Sequence, residues 1–308
     1  MNPILALIIA NIIWGAASPI FKFALTNIPP FTLAFIRFFF AGLIFLPLAI
    51  LKWQKLNRQD FINILLIGFF GVTINITFFF LGLPKTTSIN APIVASSGPV
   101  FIFLLSVFFL KEKPKLKVFL GMLAALLGAS VIVLSPIFID NKQLAMGEIE
   151  GNLFFLIATF GAVIQTLISR KVMKKINPYQ VCLISFLFGG LTFFPLMTKE
   201  LQTWNFSQLM INGWVGIIFG VLFSSALAYF LFNYGLSKIQ AQEAGLFSYI
   251  DPVVAILIAI PLLGEYPNAF FFIGSLLVFG GIFIAENRVH YHPIKLIKKF
   301  KSQITNIN

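Results

Sequence analysis

Apolar runs of about 20 residues recur from one end of this 308-residue chain to the other, each long enough to cross a bilayer as a helix. Only 10% of the residues are charged and 59% are hydrophobic, against about 25% charged in an ordinary soluble domain. A helix satisfies its own backbone hydrogen bonds where there is no water to do so. The pattern therefore predicts an all-α polytopic membrane protein. Its ten transmembrane helices fall at 4–22, 31–51, 62–83, 88–110, 116–136, 151–169, 178–198, 211–234, 242–264 and 268–286. "NIPP", "KWQKLNRQD", "KEKPKLK" and "SRKVMKKINP" punctuate them. The first run has no basic flank before it and no small-residue cleavage site after it, so it is expected to be a retained span.

A net charge of +12 would suit a nucleic-acid binder, but the basic residues sit in short connections between spans. No nucleic-acid partner is expected. Connections after spans 2, 4, 6 and 8, with the tail and with Lys117 at the first turn of span 5, hold 17 Lys and Arg; those after spans 1, 3, 5, 7 and 9 hold 3. Lys22 and Arg37, inside spans, complete the 22. The positive-inside rule then places both termini in the cytoplasm. The tail at 288–308 spaces Ile294, Ile297, Phe300, Ile304 and Ile307 among four lysines. It reads either as a basic amphipathic helix on the anionic inner leaflet or as a disordered basic tail.

Several chemistries are excluded. The single cysteine, Cys182, lies inside an apolar run, and the two histidines, His290 and His292, lie in the tail. Neither a metal cluster nor a Ser–His–Asp site can be assembled within the membrane, and the chain lacks a "GxxxxGK[ST]" phosphate loop. No metal, cofactor or enzymatic activity is expected.

The chain also overlays on itself. At an offset of 153, Pro99 falls on Pro252, Glu112 on Glu265, Pro114 on Pro267, Gly121 on Gly274 and Gly128 on Gly281. At 148, "FFFAGLIFLPL" falls on "FLFGGLTFFPL". Residues 1–138 and 147–287 thus form two repeats of five helices. Because five is odd, the repeats insert with opposite orientation, the architecture of alternating-access transporters with a site between the halves.

The motifs "WGAASPIFKFAL", "RFFFAGLIFLP" and the pair "GPVFIFLLSVFFLKEKP" and "DPVVAILIAIPLLGEYP" resemble the EamA family of the drug/metabolite transporter superfamily. The resemblance covers residues 3 to 286. It implies a ten-helix secondary transporter, typically an exporter of amino acids or other small metabolites across a bacterial inner membrane.

Asp251 is the sharpest site candidate, a carboxylate inside a long apolar run. Its repeat counterpart is Gly98, so the shared backbone around Pro99 and Pro252 does not require an acid. It is expected either to contact a cation or exchange a proton, or to cap a break in span 9. Ala241, Ala244, Ser248, Asp251, Ala255 and Ala259 share one face of span 9, matched in span 4 by Ser88, Ala91, Ala95, Gly98, Ile102 and Ser106. These stripes suit close helix packing, a cavity wall, or both. Asn11, Trp14, Ser18 and Lys22 share a face of span 1, with Lys22 expected to snorkel to the outer interface. Arg37 is deeper and calls for a partner or a cavity. Ser225, Tyr229 and Asn233 share a side of span 8, and Asn75 and Gln165 stand apart. Glu112 and Glu265 close their helices at opposite faces as end signals or gates.

Three functions compete. The first is export of a small metabolite such as an amino acid, its two charges held by Asp251 and Arg37, with the proton as candidate coupling ion. The second is broad-specificity efflux of toxic compounds, and the third a membrane enzyme or non-transporting scaffold. The partners expected are a small-molecule substrate and the lipid bilayer, and a homodimer is compatible.

Overall fold

The computed structural model describes residues 2–102, 142–238 and 244–286, with scattered positions between 105 and 134; the side chains of 142–147, 246, 282, 283, 285 and 286 are outside it. All regular structure among the described residues is helical. The segments are α1 (Pro3–Ala24), α2 (Pro30–Leu51), α3 (Arg58–Gly82), α4 (Asn90–Ala95), α5 (Lys142–Val172), α6 (Pro178–Thr192), α7 (Phe194–Glu200), α8 (Ile211–Lys238), α9 (Ile250–Leu263) and α10 (Ala269–Glu286).

Five of these, α1, α2, α3, α8 and the Glu148–Val172 part of α5, are long and apolar enough to cross a membrane. The pair α6 and α7, bent by 43° at Phe193, makes a sixth. The protein is thus an integral membrane protein. Phe247–Leu263 and Ala269–Gly281 are shorter apolar helices, while most of span 5 (116–136), Glu112, Pro114, Ala241, Ser106 and the tail lie outside the described residues.

Local chemistry sets the helix starts. Asn2 accepts from the Ile4 N–H (2.9 Å), Asn57 from Asp60 (2.7 Å) and Asn177 from Gln180 (3.0 Å). Pro3, Pro30 and Pro178 occupy first helical positions, where their missing N–H costs nothing. Pro30 and Pro178 are 148 apart, the offset of the first repeat match.

The helices pack α1 on α9 and α8, α2 on α6, and α3 on α5. Without a hydrophobic drive in lipid, close approach of small residues supplies the attraction. A Cβ on Gly15 of α1 would lie 2.7 Å from the Asp251 carbonyl oxygen, and one on Gly161 of α5 would lie 2.7 Å from that of Phe70. Ala255 and Ala259 of the α9 stripe are fully buried and serve this packing.

Four helices depart from regular α geometry, in two matched pairs. Phe69–Ile74 in α3 and Phe219–Leu227 in α8 are π-helical, and at an offset of 153 the first falls inside the second. The first span-4 segment ends in a turn at Ser96–Ser97, before Gly98–Pro99. Span 9 changes from a 3₁₀ turn (Leu246–Tyr249) to α-helix at Ile250, before Asp251–Pro252. Proline lacks the N–H that would reach four residues back, which leaves the Ala95 and Ser248 carbonyls without that partner.

Candidate functional site

The irregular turns surround one cavity of about 220 Å³, walled by α1, α2, α3, α5, α8 and the broken spans 4 and 9. Both sections of the chain contribute: Asn11 to Ile102 on one side and Phe155 to Asp251 on the other.

Of the sequence-selected residues, Asn11, Trp14, Ser18, Arg37, Asn75, Tyr229, Ser248, Asp251 and Pro99 line it. Ala91, Ala95, Gly98 and Ile102 of the span 4 stripe and Ala244 of the span 9 stripe do so too. Ser225, Asn233 and Pro252 are buried behind the wall. The Ser225 hydroxyl accepts from Arg37, and Asn233 donates to the Cys182 sulfur at 3.4 Å. Glu265 and Lys22 lie outside the cavity, joined to each other at 2.6 Å. Lys22 therefore does not snorkel freely; a carboxylate from the far end of the sequence holds it.

Arg37 is 2% exposed, and among the described residues no carboxylate pairs with it. Its Nε donates to Ser225 Oγ (2.6 Å) and its Nη2 to Ser224 Oγ (2.8 Å). The guanidinium lies 4.6 and 4.7 Å from the Phe21 and Phe38 ring centroids, a cation–π arrangement that gains strength when desolvated. These contacts leave Nη1 buried without a partner.

Asp251 is 8% exposed, and its Oδ1 likewise has no partner. It is not the N-cap of its helical segment. Tyr249 holds that position, and Asp251 stands in the first turn of α9, where the helix dipole favours an anion. The Ser18 hydroxyl is a third buried polar group without a partner on the wall. No ion pair joins Arg37 to Asp251. The cavity wall thus holds a cation and an anion that form no ion pair with each other, each with one buried polar atom that lacks a partner among the described residues.

Two aromatic side chains use carbonyls in the π-helical turns. Trp14 Nε1 donates to Ser224 O (3.1 Å), and the Tyr229 hydroxyl to Gly71 O (3.2 Å). The rings stack edge to face, 5.0 Å between centroids. Asn75 Nδ2 donates to Ala158 O on α5 (2.7 Å), whereas Asn11 and Ser248 bond carbonyls of their own helical segments, Leu7 and Gly245. Gln165 also lines the cavity.

The sequence reading missed Ser224, Thr159 and Thr166, which line the cavity. The signal for Ser224 was its place beside Ser225 in an apolar run. A period of 3.6 separates the two around the helix, but the i→i+5 turn re-phases the chain so that both hydroxyls reach one guanidinium.

A family model described as the EamA-like transporter family matches this chain twice, over residues 1–134 and 149–286. "Uncharacterized transporter YetK" of Bacillus subtilis (strain 168) is 27% identical over 287 residues, covering 92% of this chain and 86% of that protein. An "Uncharacterized transporter" of Archaeoglobus fulgidus is 27% identical over 275 residues, covering 89% and 95%. A solved structure titled "Crystal structure of protein" aligns with a TM-score of 0.64 at 18% identity, covering 92% of this chain and 96% of that one, a likeness in fold. With a family model spanning most of its length in two tandem matches, the chain belongs to the EamA-like transporter family, within the drug/metabolite transporter superfamily.

Proposed function

We propose that this protein is a secondary transporter that exports a small zwitterionic metabolite, an amino acid being the first candidate, across a bacterial inner membrane by alternating access. Its ten transmembrane helices form two inverted repeats, 1–138 and 147–287, and the basic tail 288–308 and both termini face the cytoplasm. Tandem family matches and paired helix breaks at an offset of 153 support the repeat; the Lys and Arg count supports the orientation. Export rather than import rests on the family resemblance.

The observation that carries the substrate class is the unpaired Arg37 Nη1 and unpaired Asp251 Oδ1 on one cavity wall. A buried charged group without a partner is costly, and a ligand with a carboxylate and an ammonium satisfies both. Guanidinium and carboxylate also match in planar hydrogen-bond geometry. Asp251 is the group proposed to exchange a proton with the transport cycle.

Reconstitution in liposomes with a labelled amino-acid panel tests the reading, with empty vesicles as the control. Saturable flux for a few members supports it. Flux that is unchanged in both Asp251→Asn and Arg37→Gln sinks the zwitterion argument.

A second reading, broad efflux of apolar cations, draws on the aromatic wall formed by Trp14, Phe21, Phe79, Phe155, Tyr229 and Phe232. Cells lacking the protein would then be hypersensitive to cationic dyes; unaltered sensitivity across a panel counts against it.

A further inference from the structure

A second charged cluster lies outside the cavity, where the ends of α1, α9 and the α3–α4 connection meet. Lys22 Nζ sits 2.6 Å from Glu265 Oε1 and donates to the Thr86 carbonyl at 2.5 Å. The other carboxylate oxygen, Oε2, accepts from the Ser88 N–H (2.7 Å) and the Ser88 hydroxyl (2.6 Å). The Lys22 and Glu265 side chains are only 25% and 10% exposed. By contrast, Lys85 and Glu150 form a more exposed pair, and Lys175 only approaches Asp60, at 3.9 Å.

Glu265 reaches this place through the end of α9. Gly264 adopts φ 67°, a left-handed conformation that suits glycine. The Gly264 N–H then bonds Ile260 O (3.0 Å) and the Glu265 N–H bonds Ala259 O (3.4 Å), which turns the chain back toward α1. Lys22, Thr86 and Ser88 belong to the first family match and Glu265 to the second, so the cluster ties one section of the protein to the other.

The helix turns next to the cluster supply a layer of rings. Phe21, beside Lys22, packs edge-on against Phe79, Phe80 and Phe219, with centroids 6.3, 5.3 and 5.6 Å away. Phe79 also meets Phe155 at 6.1 Å. Phe21, Phe79 and Phe155 line the cavity, so the layer lies on the cavity side of the ion pair.

We propose that Lys22 and Glu265 form the outer gate of the transporter: joined, they close the cavity toward the outer face, and they part when it opens there. This inference rests on the transporter reading and on the orientation given by the charge count. The physics suits a reversible closure. The Coulomb attraction of a partly buried pair is largely offset by the loss of hydration of its members. Entering water re-solvates both groups, whereas separating an apolar contact of similar size recovers nothing. The Phe layer beneath supplies the seal, and the ion pair supplies the switch.

The test uses a single reporter cysteine. Ser18 lines the cavity on α1, and in a Cys182→Ser background Ser18→Cys is the sole thiol. Its reaction with a charged, membrane-impermeant methanethiosulfonate is timed from outside intact cells and, separately, on inverted vesicles. With the gate intact, labelling from outside is slow. Lys22→Met and Glu265→Gln are expected to accelerate it by about tenfold or more, the factor that 1.4 kcal/mol produces. Lys22→Arg, which keeps charge and donors, is expected to keep the slow rate, and this separates a gate from a structural prop.

Equal rates in parent and both neutral variants would overturn the gate. Acceleration confined to inverted vesicles would overturn its placement at the outer face. Liposome flux, measured on the protein with Ser18, Lys22 and Glu265 unchanged, keeps the two readings apart. Accelerated labelling without flux for any substrate leaves the gate standing and removes the transporter reading. Flux without accelerated labelling removes the gate alone.

Discussion

Trp14 Nε1 donates to the backbone carbonyl of Ser224 across 3.1 Å, so that an α1 side chain fastens onto the π-helical turn of α8 that also holds Arg37. One carbonyl, one indole and one guanidinium thus share a short stretch of backbone. Trp14→Phe keeps most of the ring area but removes the donor and leaves Ser224 O unpaired in an apolar wall. The expected loss of stability is about 1 kcal/mol, seen as a lower melting temperature in detergent, together with weaker saturable flux. A variant that matches the parent in both would show that the bond positions nothing.

Arg37→Met separates a binding group from a structural one. Removing one member of a buried ion pair strands its partner, but Arg37 is held only by two hydroxyls and two ring faces. Its replacement strands no charge, so the melting temperature should hold or rise. Flux of a carboxylate-bearing substrate should fall by roughly 100-fold, the factor for about 3 kcal/mol. A collapse in stability with flux retained per folded molecule would reverse the assignment.

Asp251→Asn preserves shape and removes the charge. Flux driven by an imposed proton gradient in liposomes should lose its dependence on that gradient, while stability is maintained because no protein partner to Oδ1 is lost. Gradient-dependent flux in the variant would take Asp251 out of any proton role.

Gly15→Ala should be disruptive for a single methyl. The added Cβ would lie 2.7 Å from the Asp251 carbonyl oxygen and 2.8 Å from Val254 Cβ, and backbone cannot rotate away as a flexible side chain can. A loss of about 1–3 kcal/mol is expected, with reduced flux because α1 and α9 carry cavity residues. Gly280→Ala, which meets nothing within 4 Å, serves as the control and should stay within about 0.5 kcal/mol of the parent.

Glu200→Gln probes the start of α2. Its carboxylate accepts from the Phe31 N–H (3.1 Å), the Thr32 N–H (2.6 Å) and the Thr32 hydroxyl (2.7 Å), capping α2 from the end of α7. Loss of the negative charge at this positive helix end should cost about 1 kcal/mol. Flux measured well below the melting temperature should change little, because Glu200 does not line the cavity.

Most of the cavity wall was legible in the chain because helical period and small or polar residue type are local properties. The face of span 1 carrying Asn11, Trp14 and Ser18 turned inward as a unit. Legibility ended where the helices depart from regular geometry. Ser225 and Asn233 were placed with Tyr229 by the 3.6 period, yet only Tyr229 of the three lines the wall; Ser225 lies in the π-helical turn, and Asn233 turns to the Cys182 sulfur instead. Ser224 was missed for the same reason. Lys22 was expected in the interface because its partner, Glu265, is 243 residues away.

By itself the sequence determined that the protein lives in a membrane, where helices such as α1, α2 and α6 begin, and that its two parts resemble each other. Hydropathy, caps and self-similarity act over a few neighbouring residues or over whole segments, so they survive in one dimension. Tertiary structure alone decided that Arg37 would meet two serines and, among the described residues, no acid, that an Asp251 oxygen would find no partner among them, and that Lys22 would close on Glu265. Those outcomes depend on how irregular turns rotate each helix and on which ends meet in space, and neither is written in any local stretch of the chain.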